Sequence, residues 1–129
     1  MSNKSRFTGL PKDDNTFRTL SGDYQTPAYN ANIAIVTKQN SAITTIQPGQ
    51  LTGNPTFTIG VDTAADNIAP FVGDTVEFLL ASDATTRTAT FGTGFAPNGT
   101  LAVTTGKYAY IKFIYNGTVW QETSRTVTA

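Results

Sequence analysis

Lys107-Tyr108-Ala109-Tyr110-Ile111-Lys112-Phe113-Ile114-Tyr115-Asn116-Gly117-Thr118-Val119-Trp120-Gln121-Glu122-Thr123 decides the fold class of this chain. Two runs of β-branched and aromatic residues flank Asn-Gly, the dipeptide that accepts positive φ at both centres of a type I′ turn. The stretch therefore reads as an antiparallel β-hairpin. A two-residue loop sets Tyr115 opposite Thr118, Ile114 opposite Val119 and Phe113 opposite Trp120. One face then carries Ala109, Ile111, Phe113, Tyr115 and Trp120, and the other carries Tyr108, Tyr110, Lys112, Ile114 and Val119. A buried Phe113–Trp120 pair is the expected anchor.

Upstream, the same pattern repeats in weaker form. Ile33 to Thr37 and Ala42 to Ile46 are strand-like, and Pro48-Gly49 and Gly53-Asn54-Pro55 break the chain after them. Thr56 to Val61 alternates, with Phe57, Ile59 and Val61 on one face. Thr75 to Ala81 places Val76, Phe78 and Leu80 inward. Arg87 to Phe91 is a further strand, and Leu101 and Val103 mark the inner side of the next. About eight short strands separated by turn residues predict an all-β, antiparallel, jelly-roll-like β-sandwich over residues 33–129.

Composition agrees. Of 129 residues, 39% are hydrophobic, 14% are charged and 24 are threonine, while Glu occurs twice and Met once. A β-branched polar residue suits half-exposed pleated surfaces and disfavours helix interiors.

Residues 1–32 read differently. Phe7, Leu10, Phe17, Leu20 and Tyr24 stand singly among charged and turn-forming residues, with neither strand nor helix period. Pro11 and Pro27 break any helix. Spaced anchors of this kind describe an extended arm laid over a partner's surface, and the alternative is a disordered tail.

Several chemistries are removed at the outset. With no Cys and no His there is no disulfide framework, thiolate, imidazole base or Cys/His metal site. The formal net charge is zero, so nucleic acid finds no basic footprint. No apolar run is long enough to span a membrane as a helix, and the opening Met1 to Gly9 has no secretory-signal pattern. Glu77 and Glu122, with Asp62 and Asp66, are the only carboxylates worth weighing as an acid–base pair, and none has the context of one. The Asp62–Asp66 loop lacks the ligand spacing of a calcium loop and reads as a turn. Asn98-Gly99-Thr100 and Asn116-Gly117-Thr118 match the glycosylation sequon but read as turns. The expectation is a protein with no catalytic residues, cofactor or metal.

Tyr108 and Tyr110 project to one face beside Lys112. Exposed, they would stack on sugar rings; covered, they belong to core or subunit interface, where Tyr is enriched. With aromatics on both hairpin faces, the residues favour core or interface.

Gly73-Asp74-Thr75-Val76-Glu77-Phe78, Arg87-Thr88-Ala89-Thr90-Phe91-Gly92-Thr93-Gly94-Phe95, Lys107 through Ile114 and Tyr115-Asn116-Gly117-Thr118-Val119-Trp120 recur in an order that resembles a β-sandwich module of tailed-bacteriophage virion proteins. Such modules occur in head-decoration, head-fibre and tail-associated proteins, and the resemblance covers roughly residues 50–125. It implies a non-enzymatic structural protein, made in the host cytoplasm and carried on the virion's capsid surface. The expected role is a capsid decoration (auxiliary head) protein whose arm binds the major capsid protein, with a trimer implied by analogy. Alternatives are a tail, collar or fibre subunit, and a carbohydrate-binding module using Tyr108 and Tyr110.

Overall fold

A computed structural model describes residues 22–38, 41–61 and 70–128. The described residues form ten strands and no helix: β1 (Gly22–Gln25), β2 (Asn32–Thr37), β3 (Ile43–Ile46), β4 (Thr56–Val61), β5 (Thr75–Ala81), β6 (Arg87–Phe91), β7 (Phe95–Ala96), β8 (Leu101–Val103), β9 (Tyr108–Tyr115) and β10 (Trp120–Val127). They make a six-stranded sheet ordered β1-β3-β5-β9-β10-β7 and a four-stranded sheet ordered β2-β4-β6-β8.

The all-β, two-sheet reading stands, but the antiparallel, jelly-roll-like winding does not describe β1–β6. These strands alternate between the sheets, and each pairs in parallel with the strand two places on: β1–β3, β3–β5, β2–β4 and β4–β6. The chain thus winds as a two-sheet coil. Antiparallel pairing is confined to β5–β9, β9–β10 and β6–β8. The short β7 runs parallel to β10.

Alternation dictates the core. β2 buries Ile33 and Ile35, β5 buries Val76, Phe78 and Leu80, and β8 buries Leu101 and Val103, while the residues between them point outward. The two sheets meet through aromatic rings. Phe78 of β5 lies 4.8 Å from Phe57 of β4 and 5.1 Å from Phe91 of β6, and Phe113 of β9 lies 5.1 Å from Phe91. Edge-on and tilted ring contacts at these separations add to the burial energy of the rings.

The C-terminal hairpin turns one residue later than expected. Trp120 pairs with Tyr115, and Glu122 with Phe113, so the Phe113–Trp120 pairing is corrected to Tyr115–Trp120, with ring centroids 5.2 Å apart. The cause is local: the Asn116 side-chain Oδ1 accepts the backbone N–H groups of Thr118 and Val119, at 2.9 and 3.0 Å. Asn116 therefore caps the turn, and Gly117 takes the positive φ of 103°. The shift preserves which residues share a face, so Ile111, Phe113 and Trp120 are buried together as expected.

Candidate binding faces

The outer face of the six-stranded sheet is built from the outward positions of β1, β3, β5, β9 and β10. Register aligns Tyr24, Thr45, Glu77, Lys112 and Ser124 in one row across the strands. The next row holds Leu79, Tyr110 and Thr126, and the one beyond holds Ala81 and Tyr108. Gln47 and Pro48 follow β3 and border the same two rows. Together these residues line a groove of about 320 Å³. Tyr108 is 67% exposed and Leu79 39%, so of the core-or-interface expectation for Tyr108 only the core half is removed. β9 has a buried side and a solvent side, both aromatic.

The groove's side chains are held from behind. The Tyr108 N–H donates to Thr128 Oγ1 at 2.9 Å, and that hydroxyl donates back to the Tyr108 carbonyl at 2.8 Å. Burial raises the Tyr110 hydroxyl pKa above its ordinary value, and the neighbouring Glu77 carboxylate, which it also hydrogen-bonds, raises it further. The Tyr24 hydroxyl donates to Gln47 Oε1 at 2.6 Å. That leaves the Gln47 amide N–H₂ without a hydrogen bond among the described residues.

The outer face of the four-stranded sheet has a different character. Its rows are Asn32–Thr56–Thr90, Ala34–Thr58 and Val36–Gly60, with Thr88–Ala102 beside them. None of these side chains is charged, on a kind of surface where roughly a quarter to a third normally would be. Among the described residues the face ends at β2, six residues long, with no strand on its far side. Other sheet edges are blunted. β7 and β8 have two and three residues, and β1 turns the polar Asp23 and Gln25 inward, where Gln25 Nε2 donates to Asp23 Oδ2 and to the Val36 carbonyl. Short strands and inward polar groups are the ordinary protections of an edge. β2 is longer than these, and its inward polar protection is slight: the bond to Val36 and the buried hydroxyl of Thr37 at its end.

A third cluster joins Glu122 and Arg125. A bulge between Glu122 and Ser124 turns both residues to one side of β10. Arg125 Nε donates to Glu122 Oε2 at 2.7 Å, and its Nη atoms donate to the carbonyls of Asn98, Gly99 and Thr100. The Asn98 N–H donates to Glu122 Oε1 at 2.7 Å. Arg125, chiefly through its hydrogen bond, holds the Glu122 carboxyl below its usual pKa despite burial that opposes this. The cluster pins the loop before β8 onto β10, and its donors and acceptors are consumed internally. Asp83 and Arg87 form a comparable fork in the β5–β6 connection, at 2.7 Å.

The two glutamates do not share a site. Glu77 lies on the outer face opposite Lys112, and Glu122 lies on the inner side of the same sheet opposite Phe113. Phe7, Leu10, Phe17, Leu20, Asp62 and Asp66 lie outside the described residues. Tyr24, read as an arm anchor, is in β1 and 62% exposed on the six-stranded sheet. Sequence reading missed Gly22–Gln25 as a strand, because four residues holding Gly, Asp and Gln give no β signal. It also missed Leu79 and Gln47 as neighbours of the tyrosines, since the long-range β5–β9 and parallel β3–β5 pairings that bring them there are announced by no local pattern. Among the described residues, no group of three His, Cys, Asp or Glu is placed to hold a metal ion, and no helix is long and apolar enough to cross a membrane. Neither a comparison with protein-family models nor a search of curated proteins finds a match for this chain.

Proposed function

We propose that this chain is a structural virion protein of a tailed bacteriophage, a capsid decoration protein that attaches to the major capsid shell and to sister copies. The observation that carries the proposal is the uncharged outer face of the four-stranded sheet, continuous with the β2 edge. Small β-branched and apolar side chains on a sheet face suit sheet-against-sheet contact, since no charge has to be desolvated. The six-residue β2, an edge strand among the described residues, offers the backbone hydrogen bonds of its outer side to a neighbour in the same plane. The resemblance to phage virion modules supports the same reading, as do the spaced anchors Phe7, Leu10, Phe17 and Leu20 ahead of the first strand.

The test is a density map of the particle together with a paired variant. Thr58→Lys/Thr90→Lys puts two charges on the face at half-exposed or exposed positions. It should leave the melting temperature within a few degrees and abolish incorporation into particles. Deleting residues 2–20, which spares β1, should leave a folded sandwich that decorates poorly. Full occupancy by both variants removes this assignment.

A further inference from the structure

We propose that the groove on the six-stranded sheet is a binding site for a neutral oligosaccharide. The inference does not rest on the virion assignment, because the groove lies on the opposite outer face from the one proposed to attach.

Chemistry of the lining carries the argument. No Asp, Glu, Lys or Arg lines the groove; the nearest carboxylate, Glu77, sits one row away and is engaged by the Tyr110 hydroxyl. A charged ligand would therefore meet no full counter-charge among the lining residues. What the groove presents is an exposed phenol ring at Tyr108, a second at Tyr110, the aliphatic surface of Leu79 and Pro48, and polar groups at Gln47 and Thr126. A pyranose has matching parts. Its axial C–H face stacks on an aromatic ring, and its equatorial hydroxyls exchange hydrogen bonds with amides and hydroxyls at the rim. The Gln47 N–H₂ is a donor positioned by its partner Tyr24 and has no acceptor among the described residues.

Size separates this reading from a protein partner. A stable protein–protein interface engages roughly 20–30 residues a side, whereas this groove is lined by ten. Its volume of about 320 Å³ is at the small-molecule end of binding sites. Pre-organisation favours it too. The Tyr108 backbone is fixed by Thr128 and the Tyr110 hydroxyl by Glu77 and Ser124, so the ring of Tyr110 is held before binding and that of Tyr108 rises from a fixed main chain.

The experiment is titration of the isotope-labelled full chain with neutral hexasaccharides of glucose, xylose, galactose, mannose and N-acetylglucosamine, with a polyuronate as the charged control. Backbone shifts should move at Tyr108, Tyr110 and Leu79 with at least one neutral sugar, at a Kd of about 0.1–1 mM. Tyr108→Ala should weaken binding about tenfold and leave the melting curve in place, because that ring is mostly in water. Gln47→Ala should weaken it about three- to fivefold, as loss of a single hydrogen bond. Three outcomes overturn the proposal: no shift with any neutral sugar, tighter binding of the polyuronate, or binding undiminished in Tyr108→Ala. Capture of the groove by a protein partner with the sugars inactive overturns it as well.

Discussion

β9 and β10 are joined by one tight turn, whereas β1 reaches β3, and β2 reaches β4, only by crossing to the opposite sheet and back. The hairpin is held by neighbours in sequence: Asn116 caps its own turn, and Tyr115 packs on Trp120. The coil is held by partners far along the chain, such as Ile35 beside Ile59 and Thr45 beside Glu77. Closing those separations costs loop entropy before any contact compensates. One half of the molecule is therefore specified locally, and the other only once both sheets exist.

β5 joins the two regimes, pairing in parallel with β3 on one side and antiparallel with β9 on the other. Phe78 at its centre is fully buried and contacts Phe57, Phe91, Phe95 and Phe113. Phe78→Ala should produce the largest loss, about 3–5 kcal/mol, a large share of the stability of a domain this size. Denaturant unfolding followed by both Trp120 fluorescence and circular dichroism checks it. The two probes should fall together. A Trp120 transition that survives after the sheet signal is lost would show the hairpin to be an independent unit.

The same division explains what was legible in the sequence. Strand positions and their inward residues were readable from alternation: Phe57 and Ile59, Val76 with Phe78 and Leu80, and Leu101 with Val103 are buried as their spacing predicts. Strand direction was not, because period-two patterning is identical for parallel and antiparallel neighbours. The hairpin register slipped because Asn-Gly fits a turn in which Asn is a centre and one in which Asn is the cap, and only the bonds from Thr118 and Val119 choose between them. The groove was half legible: Tyr108 and Tyr110 announce themselves two residues apart. Leu79 joins them through the antiparallel β5–β9 pairing, and Gln47 only through the parallel β3–β5 pairing beyond it.

A smaller effect tests the seam where β10 holds the loop before β8. Glu122 is 8% exposed and its carboxyl pKa is lowered, first by the Arg125 hydrogen bond. A carboxyl with a lowered folded-state pKa stabilises fully above its unfolded value and loses that contribution as pH falls through the folded one. Glu122→Gln should therefore cost about 1–3 kcal/mol at pH 7. The gap from wild type should hold down to about pH 5 and narrow below the ordinary carboxylate range near 4.3. Urea melts from pH 7 to pH 3 measure it. A gap that stays constant across that range would mean packing, not charge, is what Glu122 supplies.

The smallest effects are kinetic and bear most directly on the contrast between hairpin and coil. Gly117 has a φ of 103°, and among the described residues only a Val72 methyl, at 3.5 Å, is near the space a Cβ would take. Gly117→Ala therefore carries backbone strain without a clash against main chain, about 1–2 kcal/mol. Ile35, 1% exposed in β2 and paired with Ile59, is the matching site in the coil. Ile35→Val should cost about 0.5–1.5 kcal/mol. Local contacts form first and long-range parallel pairs last, so the two losses should fall on different rates. Gly117→Ala should slow refolding and leave unfolding nearly unchanged. Ile35→Val should speed unfolding and leave refolding nearly unchanged. Stopped-flow chevrons on both variants read this directly, provided each equilibrium loss exceeds about 0.6 kcal/mol. If Ile35→Val slows refolding as much as Gly117→Ala does, the coil is assembled in the transition state, and the hairpin holds no kinetic priority over it.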